Sequence, residues 1–278
     1  MSNSVTLISE NAVLSVIVPV YNEAGHLGAI IDYMFESPCV LKREWIFIND
    51  SSTDSSLTIL KEKQAQYGFI LIEQSPNQGK GAAIQRGIKA CTGDLVVIQD
   101  ADFEYDPQDV PSLLVPLLEN RADVVFGSRF KKSSPQVHRT YHYFVNRFLT
   151  VLSNLSSGLY LTDMETCYKV FRGDLIRSMN LQSKRFGFEV EVTAYIAKTS
   201  SRVFELPIHY YPRTRLQGKK INWKDGVAAL CHIFKFNFMI PVEKMFTDLP
   251  SKYDFDAHRA SKQRKEHMYA SGSREASK

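Results

Sequence analysis

Acidic side chains at alternate positions follow a short apolar run in the first half of the chain. The run is Leu95–Ile98, and Asp100, Asp102 and Glu104 come soon after it. Residues at alternate positions of an extended segment project to the same side, so these carboxylates are expected to face one point. Mg²⁺ and Mn²⁺ prefer oxygen ligands, and Mg²⁺ combines carboxylates with substrate phosphates. The pattern therefore predicts a divalent-metal site; the alternative is an acidic loop that caps the helix expected after Pro107.

Two other acidic turns follow apolar runs earlier in the chain. Glu23 comes after the run that ends at Val20, and Asp50 comes after the run that ends at Ile48. In open parallel sheets, ligands bind beyond the carboxyl ends of the strands. The acidic turns are therefore predicted to gather at one edge of a sheet and to form a ligand site there.

A lysine between two glycines, Gly79-Lys80-Gly81, stands where a helix is expected to begin. Backbone N–H groups at a helix start, together with a lysine, are suited to hold an anion; a flexible helix start is the alternative. The chain lacks the GxxxxGK[ST] motif of P-loop enzymes and a GxGxxG motif after a strand. His138 and His142 have no neighbouring acid, so a zinc site is not expected there.

Two stretches of the chain contain five basic residues each and no acidic residue: 129–147 and 213–224. Such stretches predict an anionic partner, namely the phosphates of a small ligand, a membrane surface or a nucleic acid; solvated basic faces are the alternative. No RNA- or DNA-binding motif accompanies them, so a nucleic acid is not an expected partner.

The composition is that of a globular protein, with 278 residues of which 44% are apolar and 23% are charged. These values exclude a collagen-like, low-complexity or wholly disordered protein. The four cysteines form no CxxC pair, which predicts a reducing compartment. No signal sequence and no apolar run long enough to span a bilayer stands out. We therefore expect a cytoplasmic protein that is not an integral membrane protein.

Short apolar runs alternate with helical patterns along the chain. Strands are expected at 14–20, 44–48, 69–73, 95–98, 123–126 and 203–211, and the first helix near 24–36. This alternation predicts an α/β fold, with a Rossmann-like, mostly parallel sheet flanked by helices. The expected organisation is a flexible N-terminus (1–11), a single domain (12–240) that ends in an amphipathic helix at 226–240, and a polar, disordered tail (241–278). The sequence leaves the oligomeric state open.

Several motifs occur in order between residues 12 and 240. They are Ser15–Glu23 (SVIVPVYNE), Asn49-Asp50, Asn77-x-Gly79-Lys80-Gly81 and Asp100-Ala101-Asp102. Together they resemble family 2 glycosyltransferases of the GT-A fold. Further stretches are similar to the branch of dolichyl- and polyprenyl-phosphate mannose or glucose synthases: Asp100–Pro107 (DADFEYDP), Gly127–Phe130, Thr162–Phe171, Phe186–Glu189 and the basic segment 213–221. Two departures are Asn49 in place of a frequent Asp and Ser51 in place of a frequent Gly.

The resemblance implies an inverting transfer of a hexose from a nucleotide sugar, UDP-glucose or GDP-mannose, to a polyprenyl (dolichyl or undecaprenyl) phosphate at the membrane surface. It thereby implies a protein that is peripheral at the cytoplasmic face of the membrane. It implies Mg²⁺ or Mn²⁺ as the cofactor, with Asp102 as a ligand beside Asp100 and Glu104. Asp102 and Arg129 are the expected catalytic residues, since Arg129 matches an arginine near the phosphates. The positions expected to bind the nucleotide sugar are Pro19, Tyr21, Glu23, Ile48, Asp50, Lys80, Asp100 and Ala101, of which Lys80 follows from its place at a helix start.

The chemical nature of the acceptor decides whether the reaction needs a base. A phosphate monoester, with a second pKa of about 6, is largely a dianion at neutral pH and needs cations that orient it. The basic stretches fit this case, because arginine suits bidentate contact with phosphate and lysine supplies a mobile charge. The residues expected to hold phosphates are Arg129, Arg139, Arg147, Arg213, Arg215, Lys219 and Lys220.

A hydroxyl acceptor on a polysaccharide or a glycolipid would instead need a carboxylate base. The candidate bases are Asp163, Glu165, Glu189 and Glu191. A third hypothesis is a nucleotide-sugar-binding protein without catalysis, which the Asp100/Asp102 pair disfavours. The helix at 226–240 is expected to rest on a bilayer or to pack in the core through Phe234, Phe236, Phe238 and Met239.

Overall fold

A computed structural model describes residues 11–131, 140–212 and 223–255 of the chain. Within these ranges seven strands form one sheet. They are β1 (Val13–Val20), β2 (Lys42–Asn49), β3 (Ile70–Glu73), β4 (Leu95–Ile98), β5 (Val124–Ser128), β6 (Lys169–Arg172) and β7 (Val203–Pro207). Their order across the sheet is β3-β2-β1-β4-β6-β5-β7, and β6 runs antiparallel to β4 and β5 while the other pairs are parallel. The predicted α/β fold with a mostly parallel sheet is confirmed.

Helices connect the strands and pack on the sheet. They are α1 (Leu27–Glu36), α2 (Ser56–Tyr67), α3 (Lys80–Ala90), α4 (Val110–Leu118), α5 (Thr140–Ser157), α6 (Gly173–Arg177), α7 (Phe188–Ile196), α8 (Trp223–Phe234) and α9 (Val242–Met245). A π-helical turn, Lys235–Met239, continues α8, and single 3₁₀ turns span Pro107–Asp109 and Ser251–Tyr253.

The central strands are buried on both faces, which explains their continuous apolar sequences. Every residue of β4 and β5 is buried. Helix α3 lies so close to β1 that a Cβ atom added at Gly87 would lie 2.4 Å from Ile17 Cγ2. Glycine at position 87 therefore allows α3 to pack closely on β1.

The first helix begins at Leu27, later than the predicted start near residue 24. The reason is that side chains after β2 hold the preceding segment as a turn. Ser52 Oγ accepts from the Asn22 N–H at 3.1 Å, and Asp54 Oδ2 accepts from the Ala24 N–H at 3.1 Å. These polar side chains therefore fix the turn that follows β1.

The packed part of the chain extends beyond residue 240, where the sequence predicts the start of a disordered tail. Met245 in α9 and Tyr253 are buried, and the Tyr253 hydroxyl donates to Asp174 Oδ1 at 3.0 Å. The two apolar side chains anchor residues 241–253 on the domain, so the predicted boundary lies too early. Residues 256–278 and the expected flexible N-terminus up to residue 10 lie outside the described ranges.

Candidate active site

The carboxyl ends of β2, β1 and β4 lie side by side. The Asp50 N–H donates to the Val20 carbonyl at 2.9 Å, and the Gln99 N–H donates to the Ile17 carbonyl at 3.0 Å. The three acidic turns therefore meet at one edge of the sheet, as predicted.

The residues expected to contact the nucleotide differ in how accessible they are. Tyr21 is 38% exposed at this edge, whereas Pro19 and Glu23 are partly buried and Ala101 is buried. Ile48 is fully buried, and its side chain points towards α3. A ligand at this edge can therefore stack on Tyr21, but it can reach Ile48 only through the backbone.

Asp50 is buried, and both of its carboxylate oxygens accept hydrogen bonds. Oδ1 accepts from Gln74 Nε2 and from the Gln78 N–H at 2.8 Å, and Oδ2 accepts from the Gly79 N–H at 2.7 Å. These bonds hold the loop between β3 and α3. Asp50 thus positions the loop that carries Lys80, and its carboxylate is turned into the protein.

Lys80, the first residue of α3, lies between two carboxylates. Its Nζ is 2.8 Å from Asp100 Oδ1 and 3.5 Å from Glu189 Oε1. Burial acts against the charge, but Asp100, Cys167 and Glu189 outweigh it and hold the pKa of Lys80 well above its ordinary value. Lys80 therefore remains charged and fixes Asp100 at the end of β4.

The glycines around Lys80 serve close packing, which corrects the expectation of an anion cradle at this helix start. The Gly81 and Ala82 N–H groups donate to the carbonyls of Arg185 and Lys184 at 3.2 and 3.0 Å. A Cβ atom at Gly81 would lie 2.2 Å from the Ser183 carbonyl oxygen. The segment before α7 thus occupies the helix start, and Lys80 alone remains of the predicted anion site.

Asp102 and Glu104 lie in a turn, not in the extended segment that the alternation predicts. Asp102 Oδ1 accepts from the Glu104 N–H at 2.9 Å, which closes the turn. Glu104 Oε2 accepts from the Tyr210 hydroxyl at 2.9 Å. Because Asp100 faces Lys80 and Glu104 faces Tyr210, the expected set of three metal ligands is not assembled. No group of three His, Cys, Asp or Glu suited to a metal ion occurs among the residues that the structure describes.

The oxygen donors of this turn nevertheless fit a hard divalent cation in part. Asp102 and Glu104 supply two carboxylates beside the sheet edge, the number that Mg²⁺ commonly takes when substrate phosphates complete its coordination. A cation at this turn would need the phosphates of a ligand to complete its coordination.

Arg129, which follows β5, forms a buried bidentate pair with Asp163. Its Nε and Nη2 donate to the two carboxylate oxygens at 2.7 Å each, and its backbone N–H donates to Oδ2 at 3.0 Å. Burial opposes the guanidinium charge, but Asp163 outweighs this and holds the pKa of Arg129 above its ordinary value. The guanidinium carbon lies 5.1 Å from the Tyr210 ring centroid, so Arg129 is close to the Glu104 turn.

Side chains of β7 and α5 hold the backbone around Asp163. Glu205 Oε1 accepts from the Thr162 and Asp163 N–H groups at 2.8 and 3.0 Å. Arg147 of α5 donates to the Thr162 carbonyl at 3.1 Å. Two of the arginines expected to hold phosphates, Arg129 and Arg147, therefore both contact this segment. The others expected for that role, Arg139, Arg213, Arg215, Lys219 and Lys220, lie outside the described residues.

Glu165 differs from the other three candidate bases. Asp163 is paired with Arg129 and Glu189 with Lys80, while Glu191 accepts from the Gln182 and Ser183 N–H groups at 2.7 and 2.8 Å. By contrast, Oε1 of Glu165 is buried without a hydrogen-bond partner among the described residues. Burial, and next the Glu189 carboxylate, raise the pKa of Glu165 to about 7.

Two site residues, Lys169 and Tyr210, are missing from the sequence prediction. Lys169 is fully buried in β6 and donates to the Met164 carbonyl at 3.1 Å; burial lowers its pKa. β6 was also not among the predicted strands, since a lysine interrupts its short apolar run. Lys169 within the stretch Cys167–Phe171 was the sequence signal for this part of the site, because a charged residue in an apolar run is rarely buried without a partner. Tyr210 had no comparable signal.

The fold and this sheet edge define a class of protein, the GT-A glycosyltransferases. Glucosyl-3-phosphoglycerate synthase from Mycobacterium tuberculosis, solved with Mn²⁺, UDP and phosphoglyceric acid, has a TM-score of 0.63 to this chain. The match has 17% identity and covers 83% of this chain and 80% of that chain, so the likeness concerns the fold. The sequence profile described as "Glycosyl transferase family 2" matches residues 15–179, and the chain belongs to that family.

Two similar proteins have names that contain a polyprenyl phosphate. Dodecaprenyl-phosphate galacturonate synthase from Rhizobium johnstonii is 26% identical over 72% of this chain and 59% of its own length. Dolichol-phosphate mannosyltransferase from Pyrococcus furiosus is 24% identical over 80% of this chain and 63% of its own length. The chain thus spans about three fifths of these relatives. Among the described residues no helix is both long and apolar enough to cross a bilayer.

Proposed function

We propose that this protein transfers a hexose from a nucleotide sugar to a polyprenyl phosphate, with inversion at the anomeric carbon. The observation that carries the proposal is the ion pair of Asp163 with Arg129, together with the hydrogen bond of Arg147 to the neighbouring Thr162 carbonyl. In the described part of this site two guanidinium groups lie close together and the Asp163 carboxylate is already paired with Arg129, which suits an acceptor that is itself an anion. The names of two relatives support the same acceptor class.

In the proposed reaction an oxygen of the acceptor phosphate forms a bond to the anomeric carbon. The bond between that carbon and the nucleoside diphosphate breaks, and the diphosphate leaves with the electron pair. No proton has to be removed, because the acceptor phosphate is largely a dianion at neutral pH. Tyr21, Lys80 and Asp100 are proposed to hold the donor, and Arg129 and Arg147 to orient the phosphates.

Negative charge grows on the departing diphosphate, and the site must stabilise it. Mg²⁺ or Mn²⁺, held by Asp102 and Glu104, would supply positive charge to that leaving group. The turn closed by Asp102 Oδ1 and the bond from Tyr210 to Glu104 hold these two carboxylates at the sheet edge.

Glu165 favours a second candidate function, transfer to a hydroxyl group. A buried carboxyl with a pKa of about 7 can accept a proton from a hydroxyl near neutral pH. In that case Glu165→Gln should lower kcat by about 100-fold or more. If the acceptor is a phosphate, the same variant should keep its turnover within about tenfold, since no proton leaves the acceptor.

The test measures transfer of radiolabel from UDP-glucose and from GDP-mannose, with Mg²⁺ or Mn²⁺, into an organic phase. Label should enter that phase from one donor only when a polyprenyl phosphate is present. Asp102→Asn should abolish this transfer and keep the fold, as judged by circular dichroism. Transfer that ignores the lipid phosphate would overturn the proposal, and full activity of Asp102→Asn in EDTA would exclude the metal role.

A further inference from the structure

The segment that begins at Asp163 and ends at Cys167 connects the two sides of the candidate active site. At its first residue the carboxylate pairs with Arg129, which is proposed to orient phosphates. At its last residue the Sγ atom lies 3.6 Å from the Nζ atom of Lys80, which is proposed to hold the donor. Glu165 is the middle residue of this segment, so it lies between the groups proposed for the donor and those proposed for the acceptor.

The Oε1 atom of Glu165 is buried and has no hydrogen-bond partner among the described residues. Such atoms are rare in folded proteins, because a buried polar atom without a partner costs free energy. Thr166 Oγ1, on the next residue, is also unpartnered, but Thr166 is fully buried, whereas Glu165 is partly exposed. Glu165 is therefore the one of these two residues that a ligand can reach and pair with.

The charges around Glu165 balance when Glu165 itself is neutral. Three carboxylates and three cations act on one another in this part of the site: Asp100, Asp163 and Glu189, with Lys80, Arg129 and Lys169. An ionised Glu165 would be a fourth carboxylate without a cation of its own, and a buried charge of that kind is costly. Burial and the Glu189 carboxylate accordingly raise the pKa of Glu165 to about 7.

The chemistry of this carboxyl group indicates the kind of ligand. A neutral carboxyl group has one O–H donor and an oxygen acceptor, and an alcohol hydroxyl also both donates and accepts. The neighbouring charges disfavour an ion, since Glu189 repels a phosphate and Lys169 repels a metal cation. In the proposed reaction the hexose lies between the departing diphosphate and the attacking phosphate, and it carries several hydroxyl groups. The hexose therefore has both the position and the chemistry that match Glu165.

We propose that the Glu165 carboxyl group binds a hydroxyl group of the hexose in the nucleotide-sugar donor and thereby selects which sugar is transferred. This inference rests on the proposed function for the class of donor, and it is independent of the acceptor. A site built to pair with a hydroxyl rejects a sugar that lacks it, because the polar group of the site is then left unpaired. Glu165 acts here on the donor, which differs from its role as a base in the second candidate function.

The experiment is calorimetric titration of the full chain with UDP, UDP-glucose, GDP and GDP-mannose in the presence of Mn²⁺. The Kd of each diphosphate divided by the Kd of its nucleotide sugar measures what the hexose contributes to binding. Glu165→Leu should bind the diphosphates as the wild type does and should lower this ratio about tenfold for the preferred donor, because a hydrogen bond to the sugar is lost. Glu165→Gln should keep the ratio within about threefold, since its amide also donates and accepts.

Monofluorinated analogues of the preferred nucleotide sugar, each with one hydroxyl replaced, identify the hydroxyl that Glu165 binds. One analogue should bind the wild type about tenfold more weakly than the parent nucleotide sugar does. The same analogue should bind Glu165→Leu as tightly as the parent does, because the partner of that hydroxyl is already absent. Such coupling between a residue and a hydroxyl is the signature of direct contact.

The matched control is Glu62→Leu, at an exposed position of α2, which should follow the wild type in every titration. Thermal unfolding checks that Glu165→Leu folds. If it does not fold, the wild type and Glu165→Gln are compared with the fluorinated analogues, and both should disfavour the same one.

An unchanged ratio in Glu165→Leu would overturn the inference, as would equal effects of fluorine in Glu165→Leu and the wild type. An unchanged ratio in Glu165→Leu, combined with a large loss of kcat in Glu165→Gln, would overturn it in favour of the base. If Glu165 sets the ratio but no sugar enters a polyprenyl phosphate, the proposed acceptor is wrong and the inference stands. If sugar does enter the polyprenyl phosphate and the ratio is unchanged in Glu165→Leu, the inference alone is wrong.

Discussion

The Tyr210 hydroxyl donates a hydrogen bond to Glu104 Oε2 across 2.9 Å, although the two residues are 106 positions apart. Tyr105 and Tyr210 form an antiparallel bridge, and the Tyr211 N–H donates to the Glu104 carbonyl at 2.8 Å. Burial, and next the Glu104 carboxylate, raise the pKa of Tyr210 well above its ordinary value, so the hydroxyl keeps the proton it donates. The segment after β7 therefore fixes the orientation of a proposed metal ligand.

Tyr210→Phe removes this hydrogen bond and keeps the ring. We expect the Mn²⁺ concentration for half-maximal sugar transfer to rise by about tenfold or more, as is usual when the partner of a metal ligand is lost. Titration of transfer activity with Mn²⁺ measures this. Tyr211→Phe, at a side chain 53% exposed, is the control and should keep the wild-type requirement. An unchanged requirement in Tyr210→Phe would show that Glu104 does not hold the ion.

Lys80→Met leaves the carboxylates of Asp100 and Glu189 without their shared cation. Lys80 and Asp100 are 21% and 18% exposed, so this pair is partly buried. Removing one partner of a fully buried ion pair costs about 3–5 kcal/mol, and we expect a smaller fall of about 2 kcal/mol in the free energy of unfolding here. Urea unfolding measures the change, and adding Asp100→Asn should recover part of it. The control is Lys252→Met, whose pair with Asp174 is exposed and should cost less than about 1 kcal/mol. Equal effects of the two lysine variants would show that the ion pairs of Lys80 stabilise the fold no more than an exposed pair does.

Gly81→Ala tests why glycine stands at the start of α3. Alanine favours helices, yet its Cβ atom would lie 2.2 Å from the Ser183 carbonyl oxygen, so the segment before α7 must move. We expect a loss of about 1–3 kcal/mol in the free energy of unfolding, the usual cost of overpacking. Gly28 occupies the same second position in α1, where a Cβ atom would meet its nearest neighbour at an ordinary 3.7 Å. Gly28→Ala should therefore be neutral or stabilise by about 0.5 kcal/mol. A stabilising Gly81→Ala would mean that the two segments are not in close contact.

The sequence predicts the sheet edge but not the pairs formed there. The turns at Glu23, Asp50 and Asp102 were predictable because apolar runs locate strands, and parallel strands end at a common edge. The partners of these carboxylates come from distant segments, such as Glu189 for Lys80 and Tyr210 for Glu104, and no local pattern specifies them. The prediction that Asp100, Asp102 and Glu104 lie in an extended segment was wrong for a related reason. The Asp102 side chain accepts a hydrogen bond from the Glu104 N–H and closes a turn.

The folding free energy should depend on pH through Glu165. Burial, and next the Glu189 carboxylate, raise its pKa from an ordinary 4.5 to about 7, against the opposing charges of Lys169 and Arg129. Between these two values the folded chain holds a proton that the unfolded chain has released, so the contribution of Glu165 to stability is lost as the pH rises towards 7. Glu165→Gln cannot ionise and escapes this loss. The variant should match the wild type near pH 4 and exceed its stability at pH 8 by up to about 3 kcal/mol, since each pKa unit corresponds to about 1.4 kcal/mol.

Urea unfolding of the wild type and of Glu165→Gln between pH 4 and pH 8 measures this difference. Subtracting the two pH profiles removes the contributions of other shifted groups, such as Asp109 and Asp123, because both proteins contain them. Glu62→Gln, at an exposed position of α2, is the control and should follow the wild-type profile throughout. Parallel profiles for the wild type and Glu165→Gln would mean that Glu165 ionises at its ordinary pKa. With an ordinary pKa, Glu165 would be charged throughout the neutral range. The raised pKa that favours Glu165 as the base for a hydroxyl acceptor would then be absent.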